Sequence, residues 1–147
     1  MTAGAPRRLT GRLHVDLPPG EAFRLFTARG EELWAEGWQP RIAGDAPDDA
    51  MPGVVWETGH GDATTTWLVL AADPGRSVSY ARVTPGDRAG TVTVSLEAAG
   101  GGSDVEVTYL LTALTDEADQ ALDDFAHGYP EFLSEWQTAI ATHLPQS

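Results

Sequence analysis

Four residues join a polar or ionisable head to an otherwise apolar strand phase: His60, Tyr80, Arg82 and Tyr109. Alternate residues of a strand share a face. On that rule Val54, Trp56 and Thr58 lead to His60, Val78 leads to Tyr80 and Arg82, and Val105 and Val107 lead to Tyr109 and Leu111. An imidazole titrates near neutral pH, which makes His60 a candidate general base or a donor to a ligand carbonyl. A guanidinium in an apolar phase can hold a carboxylate or enolate by two parallel hydrogen bonds, and Arg82 is the second catalytic candidate on that ground. Tyr80 and Tyr109 can orient a ligand through their hydroxyls. Trp34, Trp56, Trp67, Phe125, Tyr129 and Trp136 complete the candidate ligand-binding set, since an aromatic wall with a few convergent polar groups is what a small-molecule site needs. Each has a plainer reading. Gly59-His60-Gly61-Asp62 looks like a hairpin tip with a solvated histidine, Arg82 can snorkel to water, and aromatic residues also simply fill cores.

Other chemistries lack their residues. Asp45, Asp48 and Asp49 do not have the spacing or the closing Glu of a calcium loop, and His14, His127 and His143 do not fall at metal-ligand spacing, so no metal site is expected. No Gly-x-Ser-x-Gly elbow supports a serine hydrolase. No cofactor is implied. With no Cys, disulfides, thiolate metal sites and a cysteine nucleophile are excluded, and a reducing, cytoplasmic compartment is expected.

The 147 residues carry a net charge of −13, and all nine Arg lie between Arg7 and Arg88, whereas ten acidic residues and no cation follow Arg88. Such a surface repels phosphate backbones and anionic lipid, so neither nucleic acid nor a membrane is an expected partner. No stretch approaches the roughly 20 apolar residues of a membrane span. A hydrophobic share of 41% is enough for one real core. The sequence reads as one domain over residues 1–147, with 1–7 a flexible tail, and as a monomer or homodimer.

The elements that must position these residues follow from period and punctuation. Leu9 to Leu17 alternates as a half-buried strand and stops at Pro18-Pro19-Gly20. Glu21 to Thr27 has helical spacing behind a proline, and Glu31 to Glu36 is a second short helix closed by Gly37. A Pro/Gly/Asp-rich segment from Trp38 to Gly53 reads as a loop at a cavity rim or an irregular edge. Val54 to Gly59, Thr64 to Ala72, Ser77 to Thr84, Thr91 to Ala98 and Asp104 to Leu114 are strands joined by short turns, which predicts an antiparallel meander. Thr115 or Asp116 caps a long helix with a wide apolar face, and Pro130 after Gly128 should bend or split it.

Strand, two short helices, meander and long terminal helix is the order of the START-like superfamily, also called SRPBCC. The chain resembles its activator of Hsp90 ATPase branch through Val15-Asp16-Leu17-Pro18-Pro19-Gly20-Glu21-Ala22-Phe23, Leu33-Trp34 and His127-Gly128-Tyr129-Pro130 with Phe132-Leu133. Tyr129 stands where that branch usually has Trp. The resemblance implies an α+β helix-grip fold: a curved antiparallel sheet of about six strands wrapped on the C-terminal helix, with a deep cavity between them. Members carry lipids, hormones or cofactors or act as polyketide cyclases, and no catalytic motif is shared across them. The expected function is binding of a small, largely apolar, aromatic or polyketide-like ligand in that cavity. The rival readings are a cyclase or dehydratase using the same cavity and a co-chaperone-like protein-interaction module.

Overall fold

In the computed structural model, which describes residues 5–35, 37–59 and 63–144, the strands form one antiparallel sheet. They are β1 (Arg7–Val15), β2 (Arg41–Ile42), β3 (Val55–Thr58), β4 (Thr65–Asp73), β5 (Ser77–Thr84), β6 (Arg88–Ala99) and β7 (Gly102–Ala113). Their order is β1-β7-β6-β5-β4-β3-β2, so all the later strands form a meander and β1 joins at its far end beside β7. The meander matches the turn chemistry, with Gly75, Gly86, Gly100 and Gly101 supplying the positive φ that these reversals need. Arg7, assigned above to the tail, is the first residue of β1 and pairs with Leu111. Within the segment read as a rim loop or an irregular edge, the short β2 adds a seventh strand at the sheet's edge.

Register lines up the inner face. One row runs Leu9, Tyr109, Val92, Tyr80 and Val69, and its neighbour runs Gly90, Arg82, Trp67 and Trp56. A bulge between Val69 and Ala71 turns Leu70 outward, where it is exposed.

The helices cover that face. Pro19–Ala22 forms α1 and continues into a 3-10 turn over Phe23–Phe26, whose Phe23, Leu25 and Phe26 are buried. A second 3-10 turn, Gly30–Leu33, replaces the longer helix predicted to reach Glu36. The long terminal helix is two helices, α2 (Asp116–His127) and α3 (Tyr129–His143), divided at Gly128. Thr115 caps α2 by accepting from the Ala118 N–H at 3.1 Å, and Pro130, which has no N–H to donate, sits in the first turn of α3 where that loss costs least. α3 lies on β1, and Gly11 makes the approach possible, because a Cβ there would sit 2.5 Å from the Leu133 Cδ1. Leu122, Leu133 and Ile140 are fully buried beneath the two helices. Among the described residues no helix is long and apolar enough to cross a membrane.

Candidate functional site

Between the sheet and α3 the aromatic side chains form two ring clusters, one of Trp38, Trp56, Trp67 and Tyr80 and one that runs from Phe26, Trp34 and Trp136 through Phe132 to Tyr109. Trp34 meets Phe26 and Trp136 edge-on at 6.0 and 5.1 Å. Trp67 stacks on Trp56 at 6.0 Å and meets Trp38 at 5.6 Å. Tyr109, Phe125, Tyr129 and Phe132 make a second aromatic group, joined to Trp34 and Phe26 by the 5.1 Å contact of Phe132 with Trp136. These rings nearly fill the space in which a deep cavity was expected. What is left is a hollow of about 20 Å³ lined by Phe26, Glu31, Trp67, Tyr80, Val92, Val94, Tyr109 and Trp136, room for about one water molecule. Beside it lies an open cleft of about 860 Å³ bounded by Trp34, Trp38, Phe132, Trp136, Ala139 and His143, among others. Trp136 lines both.

The sequence candidates are thus only partly brought together. Trp67, Tyr80, Tyr109 and Trp136 line the hollow, Trp34 lines the cleft, and Trp56, wholly buried, packs behind Trp67. Phe125 and Tyr129 belong to the second aromatic group. His60 lies outside the described residues. Two of the three tyrosine hydroxyls are already used within the fold: Tyr80 donates to the Phe26 carbonyl at 2.6 Å and Tyr129 to the Val107 carbonyl at 2.6 Å. The tryptophans mostly behave likewise, Trp34 donating to the Leu25 carbonyl, Trp38 to the Ala28 carbonyl and Trp67 to the Thr58 hydroxyl.

Arg82 does not snorkel. Its guanidinium lies 5.2 Å over the Trp67 ring and donates from Nη2 to the Thr84 hydroxyl at 2.7 Å. Its Nε is buried and has no hydrogen-bond partner among the described residues, as is also true of the Trp56 indole N–H. Burial pulls the Arg82 pKa down, Tyr109 opposes that, and Arg88 adds to it. A cation held over an aromatic face in a poorly solvated site keeps a large part of its field for whatever enters.

The residue that sequence reasoning missed is Glu31. It is the second residue of the second 3-10 turn, is half-buried, and lines the hollow, its carboxyl with no hydrogen bond or ion pair among the described residues. Desolvation pushes its pKa from 4.5 up to about 8. Burial first, and then the nearby Glu31, also raises the pKa of Tyr80 and of Tyr109. A signal was present: Glu31 is four residues after buried Thr27 and three before buried Trp34, so a helical turn puts all three on one face. Among the described residues no group of three or more His, Asp or Glu is arranged to hold a metal ion.

Comparison with known proteins places this interior in a family. Residues 6–129 match the family described as polyketide cyclase / dehydrase and lipid transport. The chain belongs to that family. It is accordingly a START-like, SRPBCC protein with a hydrophobic-ligand-binding fold. An uncharacterized protein from Rhizobium leguminosarum has the same fold with a TM-score of 0.69 at 15% identity, over 96% of this chain and 97% of its own. DynU16, from the dynemicin biosynthetic locus, superposes with a TM-score of 0.64 at 13% identity, over 94% of this chain and 48% of its own. The Aha1 dimer from Colwellia psychrerythraea gives 0.59 at 16% identity over 91% and 96%, which carries the fold and not the Hsp90-activator branch. None of the curated proteins matches the sequence.

Proposed function

We propose that the protein binds a small, flat, largely apolar molecule, aromatic or polyketide-like, between the sheet and α3. The molecule enters from the cleft as the Trp136 ring swings aside. The observation that carries this is a hollow walled by aromatic rings and one unpartnered acid, sharing the Trp136 side chain with a cleft of ligand size. The family's lipid-transport and polyketide-cyclase members, and the dynemicin locus of one structural neighbour, support the same ligand class.

Thermal-shift and native mass spectrometry measurements with a panel of aromatic compounds test it. Binding is expected for the wild type, and it should be tighter or faster in Trp136→Ala, in which the hollow and the cleft become one space. A folded Trp136→Ala protein that accepts none of the panel rules the proposal out.

A catalytic reading, a cyclase or dehydratase, is favoured by one feature. Glu31 with a pKa near 8 is suited to move a proton at neutral pH, and the Tyr109 hydroxyl borders the same hollow. Turnover lost in Glu31→Gln while binding is kept distinguishes an enzyme from a carrier.

A further inference from the structure

The polar groups bordering the hollow divide into those already used and those still free. Tyr80 and Trp67 spend their only hydrogens on Phe26 and Thr58. The Glu31 carboxyl, the Tyr109 hydroxyl and the Trp136 indole N–H have no hydrogen-bond partner among the described residues. Tyrosine and indole can both donate, and a carboxyl kept neutral by burial adds an O–H. The charge around the hollow points the same way. Arg82 on β5 is close enough to Tyr109 to stabilise its phenolate, and its guanidinium lies over Trp67, which lines the hollow. The other groups acting on this region are Tyr80 on β5, Tyr129 on α3, Asp49 in the loop before β3, and Asp87 and Arg88 at the turn between β5 and β6, which act on Arg82. A ligand cation would meet an arginine and no compensating ion pair.

Building on the ligand-binding reading above, we propose that the polar end of the ligand is a hydrogen-bond acceptor of the aryl-ketone or quinone type, and that Glu31 with Tyr109 is the donor pair that selects it. Glu31 is then a specificity-determining residue whose O–H is the selective group.

Three probes of one shape test this: acetophenone with a carbonyl, cumene with no polar group and α-methylbenzylamine with a cation. Isothermal calorimetry at about pH 6 and about pH 9 provides the readout. Acetophenone is expected to bind best at the lower pH and to weaken about tenfold at the higher, where only about a tenth of Glu31 keeps its proton. In Glu31→Gln, whose amide still donates, the affinity for acetophenone should not change between the two. Cumene should bind equally at both. Acetophenone binding that is independent of pH in the wild type, or the amine binding more tightly than the ketone at about pH 6, overturns the assignment while leaving ligand binding intact. Failure of all three probes at both pH values removes the ligand-binding reading itself, and the assignment with it. The wild-type pH pair needs no variant, so a Glu31→Gln chain that does not fold leaves the test in place.

Discussion

Replacing Glu31 by Gln keeps the shape of the side chain and removes only its ability to ionise, so the variant isolates what that ionisation does to stability. The folded pKa is raised, from 4.5 to about 8. A group of this kind binds its proton more tightly in the folded state, so its contribution is fully present below about 4.5 and is lost as pH rises through about 8. At about 1.4 kcal/mol per unit of pKa, the wild type should lose about 3 kcal/mol relative to Glu31→Gln by pH 7 and somewhat under 5 by pH 9, with almost no difference at pH 4. For a chain of this size about 3 kcal/mol is roughly 10 °C in melting temperature. Urea unfolding of both proteins at the three pH values gives the difference directly, and the many other carboxylates cancel because both chains share them. A difference that stays flat from acid to alkaline pH would refute the reasoning, because it would mean that the Glu31 carboxyl is hydrated in the folded protein.

Three other substitutions probe what holds the site. A Cβ at residue 30 would lie 1.6 Å from the Arg24 carbonyl oxygen, so Gly30→Ala should cost about 3 kcal/mol or more by urea unfolding and displace the turn that carries Glu31. Tyr129→Phe leaves the buried Val107 carbonyl without its side-chain donor, an expected loss of about 1 to 2 kcal/mol in the same assay. Thr115→Ala removes the cap of α2 and should lower stability by about 1 kcal/mol, with no change in ligand affinity because the cap is remote from the hollow.

Most strands were legible as alternating runs next to Gly, Pro or Asp, a pattern that one inner face of a twisted sheet enforces, and β4 as a continuous apolar run, Trp67 to Ala72, between turns. The division of the terminal helix was legible for an equally local reason, the glycine and proline at 128 and 130. β2 was not, since two residues between turns, Arg41 and Ile42, give no period to read. Parity correctly turned Tyr80, Arg82 and Tyr109 inward, yet it could not say that the Tyr80 hydroxyl would be taken by a carbonyl 54 residues away in sequence. Nor can periodicity give a volume: the same aromatic residues that suggested a cavity wall are the ones that fill it. Glu31 was hidden by its charge. A carboxylate at the start of a short helix ordinarily reads as a solvated, dipole-matched residue, and only the spacing to Thr27 and Trp34 contradicts that.

Two ionisable groups in this interior decline the partner that would make each inexpensive. Glu31 has no cation within ion-pair reach among the described residues, and the Arg82 pKa responds to burial, Tyr109, Arg88 and Asp87 and not to Glu31. A salt bridge between them would lower the cost of both, and an apolar residue at position 31 would avoid it. Local choices that oppose the fold's stability concentrate where a protein acts. Glu31 lines the hollow and Arg82 lies over Trp67, one of its walls, so a neutral acid and a separate cation form a polar gradient. A flat molecule with one carbonyl end can use it, and a plain hydrocarbon core cannot.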